Sequence, residues 1–234
     1  MLKEYTIYDK ALTRLENKKM IINTINAYSY VVSKKDLLFQ ESLSKCEVLI
    51  PDGFSIVWAM NFLYGKKLKK IAGADLFLYE MSRMEQNKGK CFFLGSTNET
   101  LLKIKEKAQK EYPNVEIVCY SPPYKSKFSN EDNEKTLNLI NDFQPDVLFI
   151  GMTAPKQEKW AFSNYPKINA GHICSIGAVF DFYAGNIKRA PVWVINLGLE
   201  WLYRFMKEPR RLWRRYLIGN SKFIYYILKE KFNR

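Results

Sequence analysis

A single carboxylate stands at the joint of two apolar runs in Cys46-Glu47-Val48-Leu49-Ile50-Pro51-Asp52-Gly53-Phe54-Ser55-Ile56-Val57-Trp58. Pro, Asp and Gly make turns, and Asp52 has the side chain to cap a helix starting near Gly53. It also has the side chain of a general base, since a lone acid at the C-terminal end of a strand faces the ligand crevice of an open α/β sheet. On local sequence alone the cap is the better reading.

Three glycine-bearing strand ends offer backbone to a phosphate. Phe92-Phe93-Leu94-Gly95-Ser96-Thr97 runs from strand through turn to helix, where free N–H groups meet an anion, although the other glycines of a dinucleotide fingerprint are missing. In Gly151-Met152-Thr153-Ala154-Pro155-Lys156-Gln157-Glu158, Pro155 can open a helix whose first turn holds Lys156, Gln157 and Glu158. The equally open alternative there is an ordinary helix start. Ser175-Ile176-Gly177-Ala178 is a third and less specific end.

Other chemistries find little support. His172 is the only histidine and lies in a strand-like run, where a structural role fits best. Cys46, Cys91, Cys119 and Cys174 are far apart in sequence and sit in or beside apolar runs, as free buried thiols do in a reducing compartment. Neither a zinc site nor a Ser-His pair is indicated. No P-loop occurs, and no Asp-x-Asp pair to hold a divalent metal on a sugar nucleotide. No metal or cofactor is therefore expected, and a diphosphate leaving group would need arginines, lysines and helix N-termini.

The elements that must position these residues alternate. Strands are expected at Lys19–Asn23, Glu47–Ile50, Lys90–Gly95, Glu116–Tyr120, Asp146–Gly151 and Gly171–Ile176, with helices near 27–44, 53–63, 73–87, 98–111, 131–143 and 155–163. That rhythm predicts an α/β, Rossmann-like, mostly parallel sheet with helices on both faces. After Ala190 only helices are expected, near 192–206 and 209–231, so the chain divides into a core, 1–190, and a C-terminal helical basic appendage, 191–234. Truncation near Ala190 is expected to leave a folded core.

The net charge is +13 over 234 residues. From Lys207 to Arg234 nine basic residues face only Glu208 and Glu230, interleaved with Trp213, Tyr216, Phe223 and Tyr225. Such a segment suits an anionic membrane surface, with Arg210, Arg215 and Trp213 as contacts. A basic helix packed on the core with solvated charges is the bland alternative, and no recognition motif points to nucleic acid. The N-terminus is no signal peptide, and no apolar stretch approaches a membrane span, so a cytoplasmic, peripheral protein is expected.

Taken in order, several of these segments resemble one family, the WecG/TagA/CpsF glycosyltransferases. They are Asn23-Thr24-Ile25-Asn26; Pro51-Asp52-Gly53; Lys70 through Gly73-Ala74-Asp75-Leu76; Phe93-Leu94-Gly95-Ser96; Gly151-Met152 through Pro155-Lys156-Gln157-Glu158 to Trp160; Gly177 through Asp181; and Gly198-Leu199-Glu200-Trp201 through Arg204 to Glu208-Pro209-Arg210-Arg211. They cover about residues 20–220.

The resemblance implies an inverting, metal-independent transfer from a UDP-sugar, of the N-acetylmannosamine type, to a sugar on a polyprenyl diphosphate. The site would be the cytoplasmic face of the plasma membrane, in teichoic acid, common-antigen or exopolysaccharide synthesis. By the same resemblance Asp52 matches the general base, Thr24 and Asn26 pocket residues, and Gln157 a polar residue near substrate. Arg204, Arg211 and Arg214 match arginines of an appendage that closes the site. Lys70 stands where the family usually carries arginine, which keeps the charge but loses the bidentate fork. Gly95, Gly151, Pro155, Lys156 and Glu158 complete the expected substrate contacts. With the resemblance, Asp52 reads as the base rather than the cap.

Two rivals remain at this level: a non-catalytic peripheral membrane scaffold using the basic helices, and an NAD enzyme, which the absent GxGxxG disfavours. The donor sugar, the acceptor sugar and the oligomeric state, a homo-oligomer included, stay open.

Overall fold

The computed structural model describes residues 1–233; Arg234, counted in the basic segment above, lies outside the described residues. Six strands, β1 (Met20–Ile25), β2 (Val48–Pro51), β3 (Lys90–Gly95), β4 (Glu116–Tyr120), β5 (Val147–Gly151) and β6 (His172–Ser175), form one sheet in the order β2-β1-β6-β5-β3-β4. Every pair is parallel, so the expected mostly parallel sheet is wholly so. The strands are short and apolar because both faces are covered.

The helices are α1 (Ala27–Ser33), α2 (Leu37–Ser44), α3 (Phe54–Tyr64), α4 (Gly73–Asn87), α5 (Asn98–Glu111), α6 (Asn130–Phe143), α7 (Lys156–Asn164), α8 (Val179–Tyr183), α9 (Val192–Asn196), α10 (Glu200–Lys207), α11 (Pro209–Trp213) and α12 (Gly219–Phe232). On one face α4, α5 and α8 cover the sheet, and Phe77, Phe93, Phe149 and Phe180 meet there at ring distances of 5.1–6.2 Å between partners. On the other, α6 and α7 cover the centre, while α1, α2 and α3 cover the β2 edge.

The helix expected at 27–44 is two. Asp36 starts the second, its carboxylate accepting from Phe39 N at 3.0 Å and from Lys159 Nζ at 2.7 Å, which ties α2 to α7. The helix expected at 192–206 is also broken. Gly198 takes a φ of +75°, and a Cβ there would lie 2.9 Å from the Phe54 ring, so α9 and α10 are separated by a turn fitted to α3. The helix expected at 209–231 runs as α11, a π-helical turn at Arg214–Ile218, then α12. Helix α8, five residues long, has no counterpart among the expected elements.

The appendage is less separate than the sequence suggests. Phe223 and Ile227 of α12 are buried with Leu2, Tyr30, Ile56 and Leu63, and the Phe223 ring stands edge-on to Tyr30 at 5.5 Å. Glu230 is buried; it accepts from Leu2 N at 2.6 Å and from the Tyr64 hydroxyl. The residue 190/191 boundary therefore divides topology, not the core, and truncation at Ala190 would uncover α1 and α3. A core ending at Ala190 would lack the packing of Phe223 and Ile227. His172 is structural as expected, with Nδ1 2.7 Å from Glu80 and Nε2 2.9 Å from Glu16 O.

Candidate functional site

β1 leaves the sheet into α1 on one face, and β6 leaves into α8 on the other, so the C-terminal ends of these neighbouring strands part into a crevice. Asp52 lies at its β2 side. Its N–H donates to Ile25 O at 2.9 Å, which extends the parallel register by one residue and sets Asp52 opposite Asn26. Thr24 and Asn26 share the parity of Asp52 on this pair of strands and so project to the same side.

Asp52 caps nothing. The N-cap of α3 is Gly53, at a φ of +103°, without a side-chain cap, and the Asp52 carboxylate makes no hydrogen bond among the described residues. It is half-buried and free to act. Burial pushes its carboxyl above the ordinary range, Glu200 pushes the same way, and the charges of Lys70, Arg215 and Arg204 oppose them.

Three of those four charges come from the C-terminal segment, which folds over the crevice. Arg204 of α10 stacks over Phe182 of α8 at 5.2 Å, and Arg215 of the π turn stacks over Tyr28 of α1 at 4.9 Å. The two guanidinium groups thus grip the helices that flank the crevice. The Nε atoms of both are buried and have no hydrogen-bond partner among the described residues. Such orphaned donors are costly unless a ligand's oxygens complete them. Glu200 also lies 3.5 Å from Arg189.

The floor is built by α7. Gln157 Oε1 accepts from Met152 N at 3.2 Å and Gly177 N at 3.1 Å, and its Nε2 donates to Glu158 Oε1 at 2.9 Å. Its carbonyl oxygen holds the β5 and β6 ends together. Glu158 is buried, and Oε2 is unpartnered. Burial raises its carboxyl to about 7, against the Gln157 bond, its own backbone N–H and Arg215.

Other expected residues fall elsewhere. Asn26 caps α1, its Oδ1 accepting from Ser29 N at 3.0 Å, which leaves its amide NH₂ for the crevice. Lys70 lies over the Phe54 ring at 5.4 Å, within reach of Asp52. Lys156 turns away, its ammonium on Lys125 O and 3.7 Å from the Phe128 ring centre. Pro155 is the residue before α7, after a cis peptide.

Gly95 and Gly151 meet each other: a Cβ on Gly95 would lie 2.7 Å from Gly151 O, and one on Gly151 would lie 2.2 Å from Phe180. Packing alone requires both. Arg211 pairs with Glu208 and is exposed, and Arg214 is exposed over Trp213 at 5.2 Å, so neither is gathered at Asp52. Arg215, expected at the membrane, is. Glu200 is the site residue that the sequence reading missed.

No helix among the described residues is long and apolar enough to cross a membrane. In comparison with known proteins, the model of the glycosyl transferase WecG/TagA/CpsF family matches residues 2–234. The chain is 29% identical over 214 residues to an N-acetylglucosaminyldiphosphoundecaprenol N-acetyl-beta-D-mannosaminyltransferase of Bacillus subtilis, covering 92% of this chain and 81% of that protein. It is 30% identical over 217 residues to the protein of that name from Bacillus spizizenii, with the same coverage. One from Staphylococcus aureus is 28% identical over 193 residues, 82% of this chain and 73% of that one.

Proposed function

The chain belongs to the WecG/TagA/CpsF family of glycosyltransferases, and we propose that it moves an N-acetylmannosamine-type hexose from a UDP-sugar to N-acetylglucosamine carried on a polyprenyl diphosphate. The names of the relatives support that donor group and acceptor. They also specify a β linkage, which an α-linked nucleotide sugar yields only by inversion.

The observation that carries the reading is a half-buried Asp52 at a strand end that caps no helix and feels the charges of three cations, Lys70, Arg204 and Arg215. Asp52 removes the proton from the acceptor hydroxyl as its oxygen attacks the anomeric carbon from the face opposite UDP. The bond from that carbon to the diphosphate oxygen breaks, and its electron pair leaves with UDP. Lys70, Arg204 and Arg215 meet the developing charge, so no metal is required. The raised Asp52 carboxyl is a stronger base than an ordinary aspartate once ionised. Thr24 and the Asn26 amide orient the sugars, while Gln157 holds the loops from beneath.

The acceptor is membrane-borne, and the basic C-terminal segment holds the enzyme on the cytoplasmic leaflet through Arg210, Trp213 and Arg214, which are exposed. The test is a panel of UDP-sugars offered with a short-chain N-acetylglucosaminyl polyprenyl diphosphate, the lipid product being weighed by mass spectrometry. Addition of one N-acetylhexosamine from UDP-N-acetylmannosamine supports the reading. Addition from none of the panel sinks it.

A further inference from the structure

Residues 53–74 contain no acidic side chain and hold Lys66-Lys67-Leu68-Lys69-Lys70 directly after α3. Lys66, Lys67 and Lys69 are exposed and make no ion pair among the described residues. Helix α3 itself is apolar on two sides. Ile56, Ala59, Met60 and Leu63 enter the core, whereas Phe54, Trp58 and Phe62, at four-residue spacing, form an outer stripe exposed by 43%, 45% and 37%. Trp58 and Phe62 stack at 5.2 Å and 9°, so these two rings hold each other in place.

The stripe is continuous with the C-terminal segment at both ends. Phe54 packs under the turn at Gly198, beyond which Trp193 of α9 is exposed by 65%. Phe62 lies under Lys231 of α12, whose ammonium is 5.2 Å from the ring centre and donates to Phe62 O at 3.1 Å. Ordered aromatics rimmed by unpaired lysines and lacking any acid match the boundary of an anionic bilayer, which supplies acyl chains for the rings and phosphates for the ammonium groups. A second copy of the chain fits poorly, because facing this surface with itself brings two lysine loops together.

We propose that the outer face of α3 and the exposed lysines of the following loop, Lys66, Lys67 and Lys69, form a second membrane-contacting surface, built on the core and distinct from the C-terminal basic segment. The proposal rests on the reading that the acceptor is lipid-borne, and it adds a location: the contact starts two residues after Asp52. The bilayer then lies along α3, and a lipid-linked sugar reaches the base without leaving the interface.

The test uses the full chain and flotation with vesicles of phosphatidylcholine, with and without phosphatidylglycerol. The variants are Lys66→Gln/Lys67→Gln/Lys69→Gln and Trp58→Ser/Phe62→Ser, each checked for unchanged thermal unfolding. Partition onto anionic vesicles should fall at least about tenfold for the lysine variant, since each engaged lysine contributes severalfold. The aromatic variant should lose binding in high salt as well, where charge is screened. Both should keep wild-type turnover on a water-soluble acceptor lacking the polyprenyl chain. Undiminished flotation of both variants overturns the proposal. So does a wild-type dimer in sedimentation that Trp58→Ser/Phe62→Ser abolishes, which would assign the face to a second copy. If wild type shows no turnover on any acceptor, the functional reading fails while the flotation result still stands.

Discussion

Asp52 works under four charges, and their signs predict how its titration moves. It must be ionised to accept a proton, so activity falls as pH drops through its pKa, which burial and Glu200 place above the ordinary aspartate range. Glu200→Gln removes a repelling charge and should shift the acid limb of kcat/KM to lower pH. Arg215→Ala removes an attracting one and should shift it higher. Limbs that do not move, or move in the same direction, would separate these residues from the base.

Glu158 gives a second, thermodynamic prediction. With a carboxyl at about 7 against an ordinary 4.5, folding favours the protonated form. That contribution is complete below about pH 4.5 and is lost as pH rises through about 7. Wild type should lose up to about 3 kcal/mol across that window by urea unfolding, and Glu158→Gln should not. The place of Asp52 is legible in sequence because Pro-Asp-Gly after an apolar run marks a strand end, but local sequence favours a helix cap, which the structure gives to Gly53 instead. Gln157 and Glu158 are legible as the first turn of a helix, but only the fold shows that the glutamine's oxygen accepts from Met152 and Gly177.

At the scale of elements, the C-terminal segment decides which arginines matter. Arg204 and Arg215 flank the crevice, and Arg211 and Arg214 face outward. Arg204→Ala/Arg215→Ala should lower kcat at least about tenfold on a water-soluble acceptor, whereas Arg211→Ala/Arg214→Ala should leave it near wild type. Equal losses in the two pairs would contradict the assignment. Four arginines in six residues, Arg210 to Arg215, carry no phase label in sequence, and the π turn at Arg214–Ile218 resets the phase, so Arg215 could not be told from its neighbours. The burial of α12 was hidden likewise: its buried Phe223 and Ile227 alternate with exposed Ile224, Tyr225 and Leu228. Phe223→Ala should destabilise the whole protein by about 3–5 kcal/mol in urea unfolding. A loss confined to local fraying of α12, with the core midpoint unchanged, would restore the view of a detachable appendage.

For the molecule as a whole, the sheet and its crossovers were legible because six short apolar runs alternate with amphipathic helices, a pattern that leaves few topologies. What sequence pattern does not show is that the last helix returns to the first, so that the crevice is roofed by the same segment whose outer surface is basic. The chain is thus a glycosyltransferase of this family in which the proposed base, Asp52, directly follows β2, with α7 beneath it and the arginines of the C-terminal segment above. The most direct test is single-turnover transfer from UDP-N-acetylmannosamine to a short-chain N-acetylglucosaminyl polyprenyl diphosphate, in EDTA, by wild type and by Asp52→Asn. Wild type should form the β-linked lipid product under chelation, and Asp52→Asn should bind UDP normally but transfer about 10²–10⁴-fold more slowly. Near-equal transfer by the two proteins, or a wild-type reaction that stops in EDTA and returns with magnesium, would contradict the account.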